Sequence, residues 1–203
     1  ELQAVVKAAK KVRVVGAGHS FMPLCETDGT LLHLEEMAGE VTVSADRRTV
    51  WAPAGWSLKR LTAILWEHGL SLINQGDVNP QALAGALATG THGTGKDLGS
   101  TSTFARAFRL VDADGGIVEC SPTQNPDLFE AQRLSLGLFG VATRIQIDVA
   151  PAYYLEERMS KMRLSEVVSR FDEIAETHRH AEFFVFPYAD EVMLKTLHPT
   201  EER

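Results

Sequence analysis

Apolar and polar positions alternate along this chain in short blocks, and their spacing predicts many strands and a few helices. Residues 1–10, ELQAVVKAAK, set apolar side chains at helical spacing among strong helix formers, which predicts a short helix. KVRVVG switches to the period-two pattern of a strand and stops at Gly16. Residues 21–30 carry Pro23, Asp28 and Gly29 and read as loop. TLLHL predicts a strand, as do the two halves of EVTVSADRRTVWAPAG on either side of a SADRRT turn. Ser57 is a fitting N-cap for a helix over residues 58–68, and Gly69 a fitting residue just past its end.

Farther along, FARAFRLVDADGGIVEC predicts a hairpin turning at Asp114-Gly115-Gly116. Asn125-Pro126 opens a helix with proline in its first turn, and GVATRIQIDVAP is a strong period-two strand. Beyond Pro151 the texture changes to YYLEERMSKM, a helix over residues 164–178, and two strands in AEFFVFPYADEVMLKTL broken at Pro187. These shifts predict one domain over residues 1–150 and the beginning of a second over 151–203. The chain opens inside an apparent helix and without Met, so the first domain is expected to be truncated at its N-terminus and the second at its C-terminus.

The 203 residues are 44% hydrophobic and 23% charged, enough for a buried core. A net charge of −7 with acidic and basic residues well mixed argues against nucleic-acid binding, which needs a cationic surface. No apolar run approaches the length of a membrane span, and no signal-peptide pattern opens the chain. Two cysteines, Cys25 and Cys120, are too few for a disulfide scaffold and read as small half-buried hydrophobes; a reducing, cytoplasmic setting is the simpler expectation. Trp51, Trp56 and Trp66 read as packing residues. The oligomeric state has no signature in the sequence.

Two glycine-rich stretches stand apart from this ordinary background. RVVGAGHSF ends a strand in Gly-Ala-Gly, as a dinucleotide-binding turn does, but the third glycine of G-x-G-x-x-G is replaced by Phe21. Glu35 and Glu36 fall near the distance of that motif's acidic residue, which would mislead a motif scan. The motif also requires a helix next, and HSFMPLCETDG has proline, turn formers and no apolar period. The second stretch, GDVNPQALAGALATGTHGTGKDLGS, spaces Gly85, Gly90, Gly93, Gly95 and Gly99 around small residues and His92. No Lys or Arg occurs from Gly16 to Asp28 or from Gly76 to Gly95. If both loops hold phosphate, backbone dipoles and a helix N-terminus must supply the attraction. The pair points to a large phosphorylated cofactor.

VRVVGAGHSF, GDVNPQALAGALATGTHGTG and SLGLFGVATRIQI, in that order, resemble the successive flavin-binding segments of the vanillyl-alcohol-oxidase superfamily, with its PCMH-type FAD-binding domain. Within it they are similar to the aldonolactone oxidase and alditol oxidase branch, and HAEFFVFPYADEVMLKTLHP resembles the opening of the substrate domain of sugar-1,4-lactone oxidases. The resemblance implies an α+β fold: two small α/β subdomains gripping FAD, followed by the start of a substrate, or cap, domain. It implies cofactor contacts at Gly16, Ala17, Gly18, His19 and Ser20, then at Gly85, Thr89, Gly90, Thr91, His92 and Gly93, with Gly76 and Asp77 shaping the entry to that second loop. Gly140 and Val141 match the later segment. His19 matches the histidine that many members bond to the flavin C8α methyl; the histidine is necessary for that link and does not prove it. The bond requires an unprotonated imidazole held in contact by a rigid turn.

The implied activity is oxidation of a sugar-1,4-lactone carbinol by hydride transfer to flavin N5, with O₂ or another acceptor reoxidising the flavin. A polyol of the xylitol type is the alternative substrate, and an FAD-binding module without catalysis the alternative of another class. The same fold hosts a reductase of cell-wall synthesis, whose members lack this Gly-His-Ser histidine, so His19 argues against that branch. The family's catalytic base is expected beyond residue 203. His92 is expected to orient backbone rather than to act as a base. His33, His68, His178, His180 and His198 show no ligand set; His178-x-His180 has no third partner, and no metal is expected.

Overall fold

The computed structural model describes residues 1–201, an α+β arrangement of five α-helices and eleven strands among the described residues. Two compact units form: Glu1–His92 with Ser100–Pro151, and Gly93–Gly99 with the chain from Ala152 onward.

In the first unit α1 (Leu2–Ala8) leads into β1 (Val12–Val15), which runs parallel to β2 (Thr30–His33) from Val12↔Thr30 to Val15↔His33. No α-helix follows β1; Pro23–Cys25 closes a single 3-10 turn, which removes the dinucleotide-fold reading on local grounds. Then come β3 (Thr42–Val43), β4 (Thr49–Pro53), α2 (Leu58–Glu67) and β5 (Leu70–Leu72). Ser57 Oγ accepts from the Arg60 N–H at 3.2 Å and Gly69 takes φ +65, so α2 has the predicted cap at each end. Its apolar face buries Leu58, Leu61 and Leu65; Trp66, read as a packing residue, lies on the outer face and is half exposed, whereas Trp56 is buried.

The unit continues with α3 (Leu83–Ala88), β6 (Ala105–Val111), β7 (Ile117–Cys120), α4 (Pro126–Gln132) and β8 (Val141–Pro151). β8 is the central strand. It pairs antiparallel with β4, β6 and β5, giving a six-stranded sheet in the order β3-β4-β8-β6-β7 with β5 at the far end of β8. At the head of α4, Asn125 sits at φ 51 and makes no capping bond; its Nδ2 donates to the Glu119 carbonyl at 2.8 Å instead.

Two hydrophobic clusters correspond to the two layers of this unit. The larger packs α2, α3 and α4 on the six-stranded sheet through Leu61, Leu65, Leu83, Phe108, Ile145 and Ile147. The smaller joins Val6 of α1 and Leu34 to Val111 and Val141 at the ends of β6 and β8. The β1–β2 pair meets the larger sheet by close backbone approach. A Cβ on Gly55 would lie 2.3 Å from the Leu34 carbonyl oxygen, and one on Gly16 would lie 2.9 Å from Ala82 Cβ.

The second unit is a three-stranded antiparallel sheet, β10-β11-β9, carrying one helix. Its elements are β9 (Tyr154–Arg163), α5 (Leu164–Thr177), β10 (His180–Phe184) and β11 (Glu191–Thr200). α5 packs Val167, Phe171 and Ile174 toward the sheet, with Phe171 edge-on to Phe183 at 5.3 Å between ring centroids. Gly93–Gly99, which the sequence places in the first domain, belongs to this unit. Lys96 Nζ pairs with Glu176 Oε1 at 2.6 Å, and Gly95, at φ +114, passes so near Arg179 that a Cβ would meet its carbonyl at 2.8 Å. Among the described residues no helix is long and apolar enough to cross a membrane.

Because the obstacle at Gly55 is main chain rather than a movable side chain, Gly55→Ala is expected to destabilise the protein by about 1–3 kcal/mol, read as a lower urea midpoint at unchanged slope.

Candidate functional site

The parallel pairing of β1 and β2 sends their carboxyl ends the same way. The segment Gly16–Ser20 leaves the first end and Leu34–Glu35 the second. α3 starts beside Gly16, and the chain after α4 returns past both. Between them lies a cavity of about 690 Å³, within the range of about 300–1,000 Å³ that holds small ligands and cofactors. Its wall includes Gly16–Ser20, Pro23–Glu26, Ala82–Ala86 without Leu83, Gln132, Ser135–Gly137 and Gly140.

No lysine or arginine is among the described residues that line this cavity, and Glu26 and Glu35 are its carboxylates. Any attraction for an anion therefore comes from main-chain dipoles. Gly18 takes φ +72, which glycine adopts without steric cost, and the Phe21 N–H closes a turn onto the Gly18 carbonyl at 3.4 Å. Among the described residues the N–H groups of Ala17, Gly18, His19 and Ser20 have no protein acceptor. The start of α3 is differently placed. Its Leu83 N–H donates to the Trp56 carbonyl at 2.9 Å and its Ala84 N–H to the Ala54 carbonyl at 2.8 Å. These two donors are spent on the fold, which leaves the Gly16–Ser20 segment, not a helix N-terminus, as the larger source of main-chain N–H groups on this wall.

Residues 1–121 match the family model of the FAD binding domain. The chain belongs to the FAD-binding domain family. Its cofactor is FAD. Residues 145–203 match a second model, that of D-arabinono-1,4-lactone oxidase. The chain is 36% identical over 197 residues to an L-gulono-1,4-lactone dehydrogenase of Mycobacterium tuberculosis, covering 97% of this chain and 45% of that protein. It is 35% identical over 185 residues to the L-gulonolactone oxidase of Mus musculus, covering 91% of this chain and 42% of that one. It is 30% identical over 202 residues to a D-arabinono-1,4-lactone oxidase of Yarrowia lipolytica, covering 96% and 38%. The chain thus spans less than half the length of these curated relatives.

The cavity suits a flavin nucleotide on its own evidence. Gly85 occupies the middle of α3, where glycine costs about 0.5–1 kcal/mol relative to alanine. No protein atom explains its presence: a Cβ there would meet only Ala82 Cβ, at 4.0 Å. A missing side chain on a cavity wall leaves room for a ligand ring or chain. The uncharged, glycine-rich stretch with four free N–H groups suits a diphosphate.

Of the residues singled out in the sequence, Gly16, Ala17, Gly18, His19, Ser20, Gly85, Thr89, Thr91 and Gly140 line this cavity. Gly76, Asp77, Gly90, His92 and Val141 do not. Gly76 is pressed against the His92 carbonyl, 3.3 Å from where its Cβ would be; Val141 is 5% exposed and belongs to the smaller hydrophobic cluster. Gly93 belongs to the second unit. Sequence reasoning missed the 3-10 turn at Pro23–Cys25, whose Cys25 thiol donates to the Val14 carbonyl at 3.1 Å, and missed Gln132. Glu35, set aside as a lure for motif scans, does line the cavity, because β2 runs parallel beside β1.

The remaining histidines do other work. His178 pairs with His198, while His180 Nδ1–H donates to the Thr94 carbonyl at 2.9 Å, so the i, i+2 pair divides between different partners. Among the described residues no group of three or more His, Cys, Asp or Glu is placed to hold a metal ion. Burial lowers the pKa of His180, against the opposing pull of its bond to Thr94, with Arg179, Glu182 and Lys195 nearby. Burial, then His198 and Arg158, lowers that of His178. Both folded-state values fall below the ordinary 6.5, so near and below that pH the unfolded chain binds more protons. The stability these neutral rings contribute is complete above pH 6.5 and is lost as pH falls through the window beneath it. Hydrogen exchange of β10 and β11 is expected to be faster at pH 5.5 than at pH 7.5 after correction for intrinsic rates, and His180→Gln to flatten that difference.

Proposed function

We propose that this chain carries the FAD-binding domain, over residues 1–150 apart from Gly93–Gly99, and part of the substrate domain, over residues 151–203, of an oxidoreductase that acts on sugar-1,4-lactones. The observation that carries the reading is the convergence of both glycine-rich segments on one cavity, with His19 on its wall. The match of residues 145–203 to the D-arabinono-1,4-lactone oxidase model and the names of the relatives support lactones as substrates.

Bound FAD supplies the two-electron acceptor for a hydride leaving a carbinol carbon. The protein's share is binding and orientation. The N–H groups of Ala17–Ser20 would hold the diphosphate, and the bare backbone at Gly85 would admit close approach. His19 is the point of covalent attachment: its ring stands edge-on to Phe21 at 5.9 Å between centroids, and the positive φ of Gly18 and Phe21 on either side holds the turn that carries it. Attachment tethers the cofactor and uses an imidazole nitrogen that carries no proton.

Precipitation with trichloroacetic acid is expected to leave a yellow pellet from the wild-type protein and a colourless one from His19→Ala. A colourless wild-type pellet with FAD in the supernatant would remove the covalent link and keep the cofactor. The protein that carries this chain, assayed with L-gulono-1,4-lactone, D-arabinono-1,4-lactone and xylitol, is expected to oxidise a lactone; turnover of xylitol alone would replace the lactone reading with the polyol one. Peroxide formation against dye reduction separates O₂ from another acceptor.

A further inference from the structure

Two glutamines that line the cavity each bury a carboxamide oxygen with no partner. Gln132 ends α4, is 5% exposed, and its Oε1 is buried with no hydrogen bond. Gln81 Oε1 is likewise buried and unpaired, although its Nε2 donates to Thr91 Oγ1 at 3.4 Å. Buried acceptors are nearly always satisfied, and one left bare weakens the fold. Position 132 lies one helical turn beyond Phe129, whose ring packs on Phe108 in the larger core at 5.9 Å. Helical spacing therefore calls for an apolar residue there, and a leucine would fill the place without an orphaned oxygen. The glutamine makes sense if something else supplies a donor.

A diphosphate cannot be that partner, because it offers only acceptors. Hydroxyl and N–H groups can. We propose that Gln132, assisted by Gln81, is a positioning residue whose carboxamide oxygen accepts from a hydroxyl or N–H donor of the bound flavin nucleotide. It complements the Gly16–Ser20 segment, which takes the diphosphate. The inference rests on the FAD reading above. It assigns the two walls opposite tasks: the Gly16–Ser20 N–H groups serve the anionic part of the ligand, and the two glutamines serve its neutral, donor-bearing part.

The test is equilibrium titration with FAD by fluorescence quenching, with His19→Ala in every protein so that attachment cannot mask affinity, beside thermal melts of the FAD-free forms. Gln132→Leu is expected to weaken FAD binding by about 5- to 100-fold without lowering the melting temperature of the FAD-free protein. Gln132→Glu, which keeps an acceptor oxygen, is expected to bind FAD more tightly than Gln132→Leu. Parallel titrations with riboflavin and with ADP locate the donor, since the half that bears it loses affinity in Gln132→Leu and the other does not. The inference is overturned if Gln132→Leu binds FAD as tightly as its parent, if Gln132→Glu binds worse than Gln132→Leu, or if neither half-ligand loses affinity. A loss that only follows a lowered melting temperature overturns it too, since that is the mark of a structural residue. A His19→Ala parent that takes up no FAD overturns the cofactor reading, and this inference with it.

Discussion

At Gly16 the end of β1 runs so close to the start of α3 that any side chain would collide with Ala82. That contact brings two segments more than sixty residues apart onto one wall, and it is possible only because both residues are minimal. Gly55 repeats the device at the Leu34 carbonyl, fixing the end of β2 against the larger sheet. The six-stranded sheet supplies the rigid support through β8, and the β1–β2 pair rests on it by main-chain contact. The cavity is what remains between two layers that touch at glycine.

The hydrogen-bond accounts of the two glycine-rich segments differ, and the difference assigns their roles. α3 spends its Leu83 and Ala84 donors on Trp56 and Ala54, which anchors the helix and leaves those groups unable to serve a ligand. The Gly16–Ser20 segment spends almost nothing. With no cation among the described residues on the wall and a net charge of −7, an anionic cofactor bound here would be held by oriented peptide dipoles rather than by side-chain charge. Such a site depends on backbone conformation more than on side-chain chemistry, apart from the roles proposed for His19 and the two glutamines.

Local signals explain what the sequence made legible. The cap at Ser57, the stop at Gly69, the Asp114-Gly115-Gly116 turn and the period-two run of β8 all act within a few residues, and the structure has each of them. Non-local contacts explain what was hidden. Gly93–Gly99 continues a first-domain motif in sequence, yet its partners, Glu176, Arg179 and His180, lie about eighty residues on. Glu35 reaches the cavity through parallel pairing that no spacing rule reveals, and Val141 leaves it because strand alternation turns its side chain into the core. Gln132 was invisible because helical period alone marks its position as core.

The proposed meeting of FAD with the main-chain N–H groups of the Gly16–Ser20 segment is the contact on which the other roles depend. Hydrogen exchange of the protein with and without saturating FAD measures that directly, amide by amide. Slowed exchange is predicted at Ala17, Gly18, His19 and Ser20, with little change at Leu83 and Ala84, whose N–H groups are already bonded. FAD binding that protects Leu83 and Ala84 and leaves Ala17–Ser20 exchanging freely would contradict it.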